Sequence, residues 1–240
     1  MIKKIKAIIN ENRLNQKNIL LQSKELEWAH VYHDSIRGKQ WLLDLPLNIG
    51  RWAGNYSFFY VLNRILSDYK PNKILELGLG ESSKFVSTYL ENYLFDSSHT
   101  IIEQDENWKN SFETSFKLSS RSKILHCSLQ EKEIKGFKTK VYNGLDNKIN
   151  ENFDLYIVDG PHGSERYSRY DIVSLVSNLD EKNQFIIIID DTERQGEKDT
   201  VADIKELLKT KSISYYQGDY IGNKCVTLIV SEKYKYSISM

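Results

Sequence analysis

The sequence predicts an α/β protein: a mostly parallel sheet with helices on both faces. Three observations carry that prediction. Beyond Pro71, short apolar runs that read as strands alternate with longer stretches of helical periodicity, the pattern of successive βαβ units. A glycine turn, Gly78-Leu79-Gly80, joins the first of these strands to the first of these helices. Three predicted strand ends also carry polar clusters, at residues 76–83, 159–164 and 190–193. Parallel sheets bind their ligands beyond that edge.

Residues 1–29 predict a helix, because Ile5, Ile8, Ile9, Ile19, Leu20 and Leu26 recur at near-helical spacing among charged and amide residues. Its apolar side marks a packing or oligomerisation arm, in preference to a helix lying on a membrane. Residues 30–50 read as irregular, with Tyr32 and Trp41 among turn residues and Pro46. A second helix is predicted over 55–69, carrying Phe58, Phe59, Val61, Leu62, Ile65 and Leu66. Residues 1–70 therefore form a helical and aromatic extension, for oligomerisation or for covering an acceptor. Residues 71–240 form the ligand-binding domain.

Within that domain 73–77 is a strand, and Ser82 and Ser83 can cap the helix that carries Phe85, Val86 and Leu90. Strand 100–103, helix 106–118, strand 122–126 and a strand near 139–142 follow. Then come strand 154–158, helix 167–179, strand 184–189 and helix 198–208. Strands near 213–217 and 225–230 close the chain.

Composition sets the outer limits. The 240 residues leave room for one large domain or two small ones. Lys+Arg and Asp+Glu both number 33, so the net charge is zero and a broad grip on nucleic acid is not expected. The longest apolar runs, such as 185–189, are far too short to span a bilayer, and no signal-peptide core follows the basic start. Cys127 and Cys225 stand far apart without a CxxC. That excludes a disulfide scaffold or a cysteine zinc site and fits a reducing cytoplasm.

The glycine turn lacks the third glycine of the dinucleotide fingerprint and the Gly-Lys-Ser/Thr of a phosphate loop, which counts against NAD and ATP. The next strand ends in Glu103. A carboxylate there can accept hydrogen bonds from both hydroxyls of a ribose. With these residues, Lys73-Ile-Leu-Glu-Leu-Gly-Leu-Gly80 resembles the first motif of the class I S-adenosylmethionine-dependent methyltransferases, and Glu103 matches their ribose-binding acid. The resemblance covers roughly residues 71–231, including the pair of strands that closes the sheet. It implies a Rossmann-like, seven-stranded sheet. It places Glu76, Gly78, Gly80 and Ser82 around the methionine part of the cofactor, Glu103 on the ribose, and Gln104 and Ser128 near the adenine.

Asp159-Gly-Pro-His162-Gly follows one predicted strand and Asp190-Asp191-Thr192 another. Adjacent carboxylates repel unless they share a cation or a proton. The pattern is similar to cation-dependent O-methyltransferases of the catechol type, which implies Asp159, Asp190 and Asp191 as ligands of Mg²⁺ or Mn²⁺. That type often carries a lysine base three residues after the first aspartate; here the position is His162, which can serve as a base with Asp159. The alternative is that these aspartates cap the next helix. The motifs around Trp52, Gly78–Ser83 and 158–169 also resemble bacterial methyltransferases of surface polysaccharide and small molecules, and distantly the glucuronoxylan 4-O-methyltransferase type.

Arg166 and Arg169 can grip an acidic acceptor or simply start a solvated helix. Trp52 and Tyr56 can line a saccharide or small-molecule pocket or belong to the core. His30, His33, His99 and His126 have no metal-ligand spacing. The expected protein is thus a cytoplasmic homodimeric O-methyltransferase using S-adenosylmethionine. Two alternatives stay open: a metal-independent N-methyltransferase of the same fold, and a non-catalytic nucleotide-binding subunit.

Overall fold

The computed structural model describes residues 2–240; Met1, the first residue of the predicted extension, lies outside them. Helix α1 spans Ile2–Ser35, six residues past the predicted end. Tyr32 and Ile36 are buried in the core, so packing extends the helix into a stretch that reads as irregular. A short helix α2, Gln40–Leu43, follows. Helix α3, Tyr56–Asp68, is capped by the Asn55 side chain, which accepts from the Phe58 N–H.

The remaining elements are β1 (Lys73–Leu77), α4 (Glu81–Asn92), β2 (Ser98–Glu103), α5 (Glu106–Ser115), β3 (Ser122–His126), β4 (Leu129–Ile134), β5 (Phe137–Tyr142), α6 (Leu145–Lys148) and β6 (Leu155–Val158). They are followed by α7 (Asp171–Ser177), β7 (Ile186–Ile189), α8 (Gln195–Thr210), β8 (Tyr216–Ile221), β9 (Cys225–Val230) and a 3-10 run over Glu232–Ser239. Seven strands form one sheet in the order β3-β2-β1-β6-β7-β9-β8. β9 runs antiparallel between β7 and β8, and the other main-sheet pairings are parallel. This is the Rossmann-like architecture that the sequence resemblance implies. The strand predicted near 139–142 lies outside this sheet. It pairs antiparallel with β4 as a separate hairpin. Lys135 and Gly136 at its tip both have positive φ, as a tight two-residue hairpin turn requires.

The isoleucine-rich strands alternate between two cores with the period of a pleated sheet. Ile186 and Ile188 of β7 face α1, α3 and α4; Ile187 and Ile189 face α7 and α8. Residues 32–66 thus share the first core with the sheet: Tyr32, Leu42 and Phe59 pack with Ile74, Leu155 and Leu228. Residues 3–20 of α1, by contrast, are exposed along their whole length, a projecting arm about 27 Å long. Among the described residues no helix is long and apolar enough to cross a membrane.

Candidate active site

The glycine turn is built by close approach. Gly78 has φ +101 and donates its N–H to Ile102 O at 2.9 Å. A Cβ on Gly78 would lie 3.1 Å from the Gly160 nitrogen; one on Gly160 would lie 2.8 Å from Gly78 Cα and 2.6 Å from Tyr142 Oη. The loops after β1 and β6 therefore pass backbone to backbone, and only glycine fits at both places. Gly80 is different. Its backbone is extended, and a Cβ there would meet nothing within 4 Å. The fold does not need glycine at Gly80; its bare Cα faces open space at the start of α4. The Ser83 hydroxyl accepts the Gly80 N–H at 3.1 Å, and the Trp108 indole N–H holds Leu79 O at 2.8 Å.

Glu103 closes the other side of this turn. It is 2% exposed. Its Oε2 accepts the Leu79 N–H at 3.0 Å and its Oε1 the Asp105 N–H at 2.7 Å. Each oxygen keeps a lone pair for a further donor. Gln104, next along the chain, is half-buried, and its Oε1 accepts from Tyr142 Oη at 3.4 Å. Ser128 is exposed just beyond β3. Glu76 lies in β1. Its carboxylate is fully buried, 2.9 Å from His99 Nε2 and hydrogen-bonded by the Ser82 hydroxyl. Glu76 and Ser82 therefore brace β1 against α4 from inside, with His99 of β2 as the third member.

The aspartates converge as expected. β6 and β7 are neighbours, so Asp159, Asp190 and Asp191 leave adjacent strand ends, and one carboxylate oxygen from each lies within 4.8 Å of the others. They are not bare, however. Arg169 Nη2 is 2.7 Å from Asp191 Oδ2 and 3.2 Å from Asp159 Oδ1. Its Nη1 donates to Val158 O at 3.2 Å and Asp190 O at 2.8 Å, and its Nε is 3.7 Å from the buried Glu197. Lys224 Nζ lies 3.2 Å from Asp191 Oδ1 and 3.5 Å from Asp190 Oδ2. Arg194 approaches Asp191 from the surface at 3.1 Å. Asp191 and Arg169 both sit in the left-handed region, φ +60 and +55, a conformation worth roughly 1–3 kcal/mol of strain for such residues.

The environments separate the three acids. Burial, then the nearby Asp159 and Asp191, push Asp190 up to about 8, so it holds a proton at neutral pH. Burial also raises Asp159, to about 6, although Arg169 opposes it. Burial would raise Asp191 too, but Arg169, Lys224 and Arg194 outweigh it and hold Asp191 below the ordinary value. Of the three side chains only Asp159 is appreciably solvent-accessible, at 21%.

The other predicted residues scatter around this cluster. Arg169 is reassigned: at 4% exposure it is the counter-charge inside the cluster and not a hand for the acceptor. Arg166 is paired with Asp199 and lies over the rings of Phe137 and Tyr167. His162 is exposed on the β6 loop and, among the described residues, joins none of the ion pairs. Tyr56 is half-buried against Tyr32 and His33 of α1. Trp52 is 97% exposed, on a loop fastened at two points beside the site. The Asn48 N–H donates to Glu81 Oε2 at 3.1 Å, and Lys224 Nζ donates to Ala53 O at 3.0 Å.

Sequence reading missed Lys224 and Glu197. Lys224 precedes β9, and β9 lies against β7, so it falls beside Asp190; only the strand order reveals this. The buried Glu197 looks like an ordinary first-turn acid of α8.

The strand order β3-β2-β1-β6-β7-β9-β8, with its one reversed strand β9, defines a Rossmann-like sheet with the polar clusters at the ends of its parallel strands. No family model matches the chain, and none of the curated proteins matches it. Among solved structures it is similar to the O-methyltransferase TomG of Streptomyces achromogenes, involved in tomaymycin synthesis, in complex with S-adenosylmethionine. The identity is 14%, over 84% of this chain and 89% of that one, with a TM-score of 0.48. It is also similar to an O-methyltransferase from Bacillus cereus in complex with S-adenosylhomocysteine, at 15% identity over 88% and 91% of the chains and a TM-score of 0.44. The S-adenosylhomocysteine-bound methyltransferase PaMTH1 of Podospora anserina matches at 11% identity over 93% and 97%, with a TM-score of 0.44.

Proposed function

We propose that the protein is an S-adenosylmethionine-dependent O-methyltransferase acting on a hydroxyl of a small molecule or saccharide. One observation carries the reading: a buried carboxylate at the end of β2, Glu103, stands against a glycine turn whose Gly80 opens onto free space. Glu103 has one lone pair left on each oxygen for two adjacent hydroxyls, as a ribose offers. Gly78 and Gly80 leave the backbone bare beside it. The residues thus suit the cofactor, which, when bound, supplies a sulfonium methyl that needs no further activation.

The chain's own task is to orient the acceptor and remove its proton. Asp159 suits that role: it is the solvent-facing member of the cluster, ionised at neutral pH yet more basic than an ordinary carboxylate. Asp190, protonated and buried, can donate a hydrogen bond but cannot act as a base. His162, on the same loop, is the second candidate for the proton. Trp52 offers an apolar face to the acceptor beside Lys224. A divalent cation fits poorly at Asp159, Asp190 and Asp191, because each already faces a protein cation.

Calorimetry with S-adenosylmethionine tests the reading. The protein binds it, and Glu103→Ala weakens binding by about 1–3 kcal/mol through lost charged hydrogen bonds. Absence of binding to the wild-type protein overturns it.

The same reading includes a homodimer. Ile5, Ile8, Ile9, Ile19 and Leu20 are all exposed on the projecting arm of α1, and apolar surface of this kind favours cover. Both cysteines are free, which suits the cytoplasm.

A further inference from the structure

We infer that Lys224, with Arg169, takes the place of a divalent cation in the acidic cluster, so that this protein's acceptor site is built to work without a metal. The inference rests on the methyltransferase reading for its catalytic meaning, but the occupancy of the cluster stands apart from it.

Three carboxyl groups brought within 4.8 Å need a proton or positive charge between them, and with Asp190 protonated the charge on Asp159 and Asp191 still calls for a cation. Two sources could supply it: a hard cation, which takes oxygen ligands at about 2.0–2.6 Å, or the protein itself. Here the protein supplies it to every member. Asp159 faces Arg169 at 3.2 Å, Asp191 faces Arg169 at 2.7 Å and Lys224 at 3.2 Å, and Asp190 faces Lys224 at 3.5 Å. A metal drawing on these oxygens would stand against two fixed positive groups. Neither is easily displaced. Arg169 is held by two main-chain carbonyls, Val158 O and Asp190 O. Lys224 is held by a third, Ala53 O at 3.0 Å.

The position of Lys224 adds a second consequence. Its ammonium joins three separate pieces of chain: the carboxylates after β7, its own turn before β9, and the loop that carries the fully exposed Trp52. A bound metal has no such tie to residues 48–54. The lysine therefore neutralises the cluster and also fixes the height of the Trp52 loop above it, which makes it a positioning residue for the acceptor.

The test uses metal binding and does not need the acceptor. Mn²⁺ is titrated into the full-length protein and followed by electron paramagnetic resonance and calorimetry, at pH 7.5 with S-adenosylmethionine present and absent. The wild-type protein binds no Mn²⁺ below millimolar concentration. Lys224→Ala and Lys224→Gln each gain one Mn²⁺ site, tightened at least tenfold over the wild type, and adding Asp190→Asn abolishes the gain. Cofactor affinity, measured in the same samples, reports that each variant is folded and separates this result from the methyltransferase reading. Micromolar Mn²⁺ binding by the wild type that Asp190→Asn removes would overturn the inference. So would folded Lys224 variants that gain no site.

Discussion

Removing the Arg169 guanidinium is the most informative perturbation of this edge. Arg169→Met keeps the length and apolar stem of the side chain and deletes its charge and donors. The loss can be worked from its contacts. Asp159 and Asp191 lose a partner at 3.2 and 2.7 Å, and Val158 O and Asp190 O lose donors at 3.2 and 2.8 Å. Breaking a buried ion pair by removing one partner costs about 3–5 kcal/mol. Against a total stability of about 5–15 kcal/mol that is a large fraction. In a chain of this size each kcal/mol is worth about 2–4 °C, so the midpoint falls by roughly 6–20 °C.

The deficit should depend on pH, and its sign follows from linkage. Without the guanidinium the carboxylates are harder to ionise, so their folded-state values rise. The variant's native state then binds more protons than its unfolded state over a wider range, and it loses stability as pH rises through that range. The gap from the wild type is therefore widest above neutrality and narrows toward pH 5. Thermal unfolding followed by circular dichroism at pH 5, 7 and 9 reads both effects. Arg169→Lys should fall between, since one ammonium cannot bridge the same set. A midpoint within a degree or two of the wild type, or a deficit equal at all three pH values, would refute the assignment of Arg169 as the internal counter-charge.

Two further outcomes are expected. Asp190 is raised from 3.8 to about 8 in the folded protein, so its contribution to stability is fully present below the ordinary carboxylate range and is lost as pH rises to about 8; in Asp190→Asn that part of the decline disappears, and urea midpoints at pH 5 and 9 should differ less than in the wild type. Light scattering should give twice the chain mass for the full-length protein at micromolar concentration and the single mass after removal of residues 2–20; an unchanged single mass in both would remove the arm as the dimer contact.

Much of the fold was legible because its strands are buried on both faces. Runs such as Ile186–Ile189 have no solvated side, and uninterrupted apolar residues bounded by turns mark a parallel strand. The β4 strand was not legible for the opposite reason. Leu129–Ile134 exposes four of its six residues, so neither an apolar run nor an alternation survives in the sequence. The end of α1 is not legible because Tyr32 and Ile36 are buried by tertiary contact, which local composition does not show. At the site, the aspartates and the glycine turn stood out because their chemistry is unusual for strand ends. The role of Arg169 did not. A sequence shows that an arginine follows an aspartate turn; it does not show that a left-handed residue folds it back under that turn.

The cluster is an expensive way to finish two strands. It places several carboxylates and an arginine out of reach of water, with Asp191 and Arg169 in strained backbone conformations. Buried ion pairs often stabilise less than apolar residues of the same volume, and the strands beneath are already apolar throughout. Stability alone therefore does not account for it. What the arrangement provides is a difference among like groups: one carboxylate inside that keeps its proton, one locked to three cations, and one, Asp159, facing outward with raised basicity. Pushing the pKa values of neighbouring acids apart is how a site assigns separate proton roles. Asp159 lies on the loop that meets the glycine turn through Gly78 and Gly160, so the basic oxygen and the proposed cofactor cradle are held in register by a backbone contact that no side chain can enter.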